Sequence, residues 1–304
     1  DFREKKTEST PPYIPHGDMI KNQWKYTGNI THQEQIPVCK IKFFDKGVKS
    51  EGLSNENIED VVKYYMKHLT KKYPLSDPKH ISNWDVSKVT DMTKLFYNMD
   101  DFNENISNWN VSNVEKMSGM FAKAKSFNQD ISDWDVSKVT DMELMFFIAI
   151  NFNNGNKPLK WGSKTKNVTN MKEMFYNAIN FNQDISDWDV SKVVSMNNMF
   201  GSAENFNQDI SSWDVSKVKS MNQMFWIAKK FNNGNKPLTW GSKTKKVTNM
   251  ISMFNHAKSF NQDISDWNVS KVENMSFMFY VAIKFNNGNK PLKWGSKTKK
   301  VKNM

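Results

Sequence analysis

Nine tryptophans recur along the second half and more of the chain: Trp84, Trp109, Trp134, Trp161, Trp188, Trp213, Trp240, Trp267 and Trp294, with successive gaps of 25, 25, 27, 27, 25, 27, 27 and 27 residues. A fixed period of this length is the signature of a repeat array. A unit of about 25 residues cannot bury its own hydrophobic face and must stack on copies of itself. The 304 residues therefore need not be divided into ordinary globular domains. A hydrophobic content of only 38% suits a series of thin turns, each with a small core.

Two forms of the repeat alternate. Six turns carry a short form, such as FNQDISDWDVSKV at 127–139, and three carry a long form, such as FNNGNKPLKWGSKTKNV at 152–168. The long form adds two residues on each side of the tryptophan and occupies the turns of Trp161, Trp240 and Trp294. After each tryptophan the apolar residues Val139, Met142, Met145, Phe146 and Ala149 follow a 3–4 spacing that predicts one face of a short helix. The same register recurs from Val168 and from Val218. Thr140 or Asp141 is the expected N-cap. The run Asp130-Ile131-Ser132 is read as a strand of about three or four residues, pairing in parallel with its copies. The expected fold is an α/β repeat solenoid: a leucine-rich-repeat-like, right-handed stack of about nine turns of 25–29 residues, each a short strand plus a short helix.

Flanking segments differ from the array. Residues 1–35, with PPYIP, read as an extended arm or linker. Residues 36–80 read as an N-terminal α/β cap, with a strand and turn in IPVCKIKFFDKG and a helix from Ile58 to about Thr70 capped by Asn57. Ile58, Val61, Val62, Tyr65 and Leu69 give that helix one apolar face for the first turn. Residues 81–304 are the solenoid, its last turn cut after Met304 without a cap, so a continuation or a covering partner is expected there.

An asparagine follows the phase-marking phenylalanine in each turn: Asn103, Asn128, Asn153, Asn182, Asn207, Asn232, Asn261 and Asn286. Asparagines stacked at a bend can bond the backbone of their own and the next turn, so these form a structural ladder. The acids after the tryptophans are interrupted by Asn110, Asn268 and the glycines of the long turns. A calcium ladder would need them continuous, so no metal and no cofactor are expected.

Catalysis finds no support. The five histidines are scattered, the single Cys39 excludes an internal disulfide, and no phosphate-cradling loop occurs. No apolar run reaches the roughly 18 residues of a membrane span, and Asp1 follows no signal sequence, so the expectation is either that one was removed or that the chain is soluble as it stands. A net charge of +11 favours anionic partners. The lysines concentrate in the long turns as Lys157, Lys160, Lys164 and Lys166, then Lys236, Lys243, Lys245 and Lys246, then Lys290, Lys293, Lys297, Lys299 and Lys300. With Trp161, Trp240 and Trp294 beside them, they are the candidate binding residues for an acidic polymer. A second candidate surface is the set that varies beside the expected helix: Glu143, Leu144, Lys172, Glu173, Asn197, Asn198, Asn222, Gln223, Ser276 and Phe277.

FNQDISDWDVSKVTDM, followed by MxxMFxxA, resembles the BspA-like leucine-rich-repeat surface proteins, in the variant abundant as mycoplasma lipoproteins, over about residues 81–304. The resemblance implies a secreted or surface-anchored, adhesin-like scaffold that binds a protein or glycan on another cell or surface, with no catalytic residue to carry over. A lipoprotein of that kind starts with a lipidated cysteine, whereas this chain starts with Asp1 and carries Cys39 within the cap. Polyanion binding through the lysine-rich turns is the alternative function. A structural role in a larger cell-surface or virus-particle assembly is the second alternative.

Overall fold

A computed structural model describes residues 52–304. The arm at 1–35 and the strand and turn expected within 36–51 lie outside the described residues. Helix α1 (Ile58–His68) is the only α-helix among the described residues. It buries Ile58, Val61, Val62 and Tyr65, as its spacing predicts. Tyr65 meets Trp84, the first tryptophan of the array, edge-on at 5.3 Å. Asn57 does not cap α1: its Oδ1 accepts from Ser54 N–H at 3.0 Å and its amide donates to the Gly52 carbonyl.

From Ile81 onward the chain is a repeat solenoid, but its unit holds neither a strand nor an α-helix; short 3-10 turns occur at Ile81–Asn83 and in the long form, as at Asn154–Asn156 and Gly162–Thr165. Met142–Ala149 shows how it is built. Local i→i+3 bonds run from Met145 N–H to the Met142 carbonyl (3.3 Å), from Phe147 to Leu144 (3.0 Å) and from Ala149 to Phe146 (3.0 Å). The peptide groups in between point along the stack. Met142, Leu144, Phe146 and Ile148 donate to the carbonyls of Asn170, Lys172, Met174 and Tyr176 in the next turn, at 3.1, 2.9, 2.8 and 2.7 Å. One peptide therefore closes a β-turn and the next bridges two repeats, in alternation.

The same four rungs join every neighbouring pair of complete turns from Met92 to Tyr280, with lengths between 2.6 and 3.3 Å. Isolated parallel bridges mark their start at Asp91, Lys116, Asp141, Asn170, Ser195, Ser220, Asn249, Asn274 and Asn303. The second and fourth donors of each turn, such as Leu144 (φ 58°) and Ile148 (φ 57°), sit in the left-handed region, which lets consecutive turns follow one another.

The expected helix is thus corrected, and the reason is physical. Each i→i+3 turn spans three residues and overlaps the next, with starts at Met142, Leu144 and Phe146, and Met142, Met145, Phe146 and Ala149 fall on the core side just as they would on a helix. The expected strand at 130–132 is also absent. Ser132 N–H folds back on Asp130 Oδ1 (3.0 Å), and Trp134 N–H closes a turn on the Ile131 carbonyl (3.3 Å). Parallel pairing lies instead where the helix was expected.

Aromatic columns fill the core. Phe121, Phe146, Phe175, Phe200 and Phe225 stack from turn to turn at 5.4–5.7 Å. Each packs on the second phenylalanine of its own turn, as Phe146 does on Phe152 at 3.8 Å. Every phase-marking indole from Trp109 to Trp294 donates Nε1–H to an isoleucine or leucine carbonyl of the turn before, at 2.9–3.2 Å. The phase-marking tryptophan therefore ties two turns as well as filling one.

Candidate interaction surface

The asparagine ladder forms as a continuous chain. Each backbone N–H of Asn128, Asn153, Asn182, Asn207, Asn232, Asn261 and Asn286 donates to the side-chain oxygen of the asparagine one turn earlier, starting at Asn103, over 2.7–2.9 Å. Its members are half-buried or exposed rather than buried. Their role is to satisfy a bend that the backbone rungs do not reach.

Long turns clasp the short turn before them. In the first of the three, Asn154 is fully buried. Its Oδ1 accepts the Ile131 N–H at 2.9 Å, and its amide donates to Ser132 Oγ (2.8 Å) and to the Lys157 carbonyl (2.9 Å). Ser132 in turn donates to the Pro158 carbonyl at 2.8 Å. Gly155 (φ 60°) lies against the Asp130 backbone, where a Cβ would stand 3.4 Å from the Asp130 nitrogen. Asn233 and Asn287 repeat the arrangement on Ile210 and Ile264. These three asparagines were not singled out by sequence reasoning. Their one signal was Asn-Gly-Asn recurring only in the long form.

The clasp takes up much of the lysine cluster. Lys157, Lys236 and Lys290 pair with Asp130, Asp209 and Asp263 of the preceding turn at 2.9, 3.3 and 3.0 Å. The Ser265 hydroxyl and N–H, with Lys290 beside them, hold the Asp263 carboxyl at a pKa of about 2. Lys164, Lys243 and Lys297 reach the carbonyls of Trp134, Trp213 and Trp267 at 3.2–3.5 Å. Lys160, Lys166, Lys245, Lys246, Lys293, Lys299 and Lys300 are exposed and lack a salt bridge within 4 Å among the described residues. Trp161, Trp240 and Trp294 are only 1, 1 and 6% exposed, so they belong to the core and offer no ring to a ligand.

The residues that vary beside the expected helix lie on the outside of the turn ladder. Between buried Met142, Met145, Phe146 and Ala149, positions 143, 144, 147 and 148 project outward and are half-buried. Aromatic side chains occupy this outer wall in the middle of the array. Phe147 stacks on Tyr176 in the next turn at 5.2 Å and 15°. Tyr176 then stacks on Trp226, two turns away, at 6.3 Å and 15°.

The turn between them carries Gly201, and Tyr176 leans over it so closely that a Cβ there would meet the ring at 2.8 Å. Burial raises the Tyr176 phenol above its ordinary pKa. The neighbouring positions are Leu144, Ile148 and Ile227, a Glu143–Lys172–Glu173 ion-pair group (3.0 and 3.6 Å), and the amides of Asn197, Asn198, Asn222 and Gln223. Sequence reasoning named the amides and missed the aromatic strip. The repeat register makes Phe147, Tyr176, Gly201 and Trp226 equivalent positions, but only the turn-to-turn stacking shows that their rings meet.

An apolar hollow of about 560 Å³ lies at the last turns, lined by Phe277, Phe279, Tyr280, Leu292 and Met304 among others. Among the described residues no helix is long and apolar enough to cross a membrane, and among them no group of three His, Cys, Asp or Glu could hold a metal ion.

No match was found among curated proteins or among solved structures. A family model described as "Mycoplasma protein of unknown function, DUF285" matches three consecutive stretches, residues 64–164, 157–243 and 235–304. With that match running over the whole turn ladder, the chain belongs to the DUF285 repeat family.

Proposed function

We propose that the chain is a non-catalytic interaction scaffold whose turn ladder presents its outer wall to a protein partner. It would act at a cell surface or in the extracellular space, in the manner of the BspA-like surface proteins its repeats resemble. The observation that carries this reading is the Phe147–Tyr176–Trp226 strip. The aromatic columns of the central turns are spent on the core, and this one is not. Tyrosine and tryptophan ringed by amides and aliphatic side chains are the residues that dominate protein–protein binding energy. The rings stack on each other along the array, so they offer edges to solvent rather than the open faces on which a sugar would lie. That geometry favours a protein over a glycan at this wall.

The polyanion reading rests on the seven lysines left outside the clasp. It draws no aromatic contribution, because the adjacent indoles are buried. The test is comparative capture from a cell-surface extract by three proteins: the unaltered chain, Tyr176→Ser/Trp226→Ser, and Lys160→Glu/Lys246→Glu/Lys300→Glu. A specific partner retained by the lysine variant and weakened at least thirtyfold by the strip variant, about 2 kcal/mol, is the expected result. Capture indifferent to the strip, or lost with the lysines, overturns the reading.

A further inference from the structure

The alternation of long and short turns leaves one recess of distinct chemistry. The turns of Trp240 and Trp294 are long and the turn of Trp267 between them is short, whereas the long turn of Trp161 is followed by two short turns. Two bulged loops therefore flank a single recessed one only here. The result is a notch of about 640 Å³, within the range of small-ligand sites. Its floor is the short turn, with Gln262, Asp263, Ser265 and Asp266, and its walls come from the two long turns, with Thr239 and Lys293 among them.

Several of these groups are already committed. Asp263 accepts from Ser265 N–H (3.0 Å) and pairs with Lys290, while Gln262 Nε2 donates to the Asn232 carbonyl (3.1 Å). The Thr239 hydroxyl, the Lys293 ammonium and the Gln262 oxygen have no hydrogen-bonded side-chain partner among the described residues, and the Asp266 carboxylate is met by its own backbone N–H with Lys297 nearby but by no side-chain hydrogen bond. A carboxylate, an amide oxygen, a hydroxyl and an ammonium thus converge on one recess. Its formal charge is zero, because Asp263 and Asp266 balance Lys290 and Lys293.

A cation entering the notch would meet the two lysines, and an anion would meet the two carboxylates. Neutral groups that both donate and accept suit such a lining, and vicinal hydroxyls do so at the spacing of adjacent side chains. We propose that this notch is a binding site for a neutral saccharide unit, separate from the aromatic strip and independent of the reading given for it. The Asp266 carboxylate accepts from sugar hydroxyls, Lys293 donates to them, Thr239 does both, and the Pro237 ring supplies an apolar contact.

The experiment uses the whole chain and observes its backbone amides by NMR while lactose, maltose and chitobiose are titrated into the millimolar range. Tetraglycine and a heparin-derived disaccharide serve as the peptide and anion probes. Shifts confined to residues around 235–240, 262–266 and 288–293 with at least one neutral disaccharide are expected, with affinity at least tenfold weaker in Asp266→Asn. Thr239→Trp fills the notch from an exposed position without touching the clasp and should abolish the shifts with the fold unchanged. The proposal is overturned if no disaccharide shifts these residues, if the shifts survive Thr239→Trp, or if only tetraglycine or the heparin fragment produces them.

Discussion

Replacing Asn154 with alanine should destabilise the solenoid far more than replacing Asn156, two residues away in the same loop. Both hold left-handed backbone, at φ 52° and 63°, so alanine costs about 1–2 kcal/mol at either site on that account alone. The difference lies in what each side chain satisfies. Asn154 is fully buried and accepts the Ile131 N–H at 2.9 Å. Its removal strands that donor in the core, at about 1–3 kcal/mol. Asn156 is exposed and only receives a bond from Asn153 Nδ2. The expected losses are about 2–5 kcal/mol for Asn154→Ala and about 1–2 kcal/mol for Asn156→Ala. The turn is internal, so weakening its interface with the turn before should lower the stability of the array rather than fray an end. Urea unfolding followed by tryptophan fluorescence measures both. Losses equal within about 0.5 kcal/mol would refute the clasp as a structural device.

Three further outcomes follow from the same structure. Asp263 has a folded-state pKa of about 2, below its unfolded value, so its contribution is present above about pH 4 and is lost as the pH falls through 2. Asp130 and Asp209 are lowered as well, with Ser132 and Lys157, and Ser211 and Lys236, outweighing partial burial. Carboxyl-detected NMR titration should place all three below ordinary aspartates, and Asp263→Asn should flatten the acid limb of the stability profile. Phe175→Ala opens the stacked column between Phe146 and Phe200 and should cost about 3–5 kcal/mol in the same urea assay. Gly201→Ala places a methyl 2.8 Å from the Tyr176 ring, so the ring must swing off Trp226. Altered Trp226 ring-current shifts with the fold intact are expected, and unchanged shifts would mean that the strip is not held as described.

What was legible in the sequence was whatever a period encodes. The tryptophan spacing gave the repeat, the recurring asparagine gave a ladder now seen rung by rung, and the apolar face of residues 58–69 gave α1. The secondary structure within each turn was not legible, because a string of β-turns and a helix bury residues at the same 3–4 spacing. One signal pointed the other way. The outward positions that need positive φ carry Asn98, Gly119, Asn177 and Asn198, residues that tolerate the left-handed region. Leu144, Ile148, Ile227 and Val281 occupy the same positions and masked it. The lysine-rich turns misled for a different reason. Charge counts do not reveal that Asp130, Asp209 and Asp263 stand one turn below, nor that the indoles beside the lysines face inward. The repeat register aligned Phe147, Tyr176 and Trp226, but that their rings stack across the turns emerged only from the structure.

The ladder itself is open to direct observation. Scalar couplings transmitted through hydrogen bonds connect a donor nitrogen to its acceptor carbonyl carbon, and a perdeuterated sample allows them to be recorded for a chain of 35.5 kDa. Correlations from Phe146 nitrogen to the Met174 carbonyl, and from Ile148 nitrogen to the Tyr176 carbonyl, are the result that stacked β-turns predict. A correlation from Phe146 back to Met142, four residues earlier, would mean that the segment is a helix and would contradict the ladder.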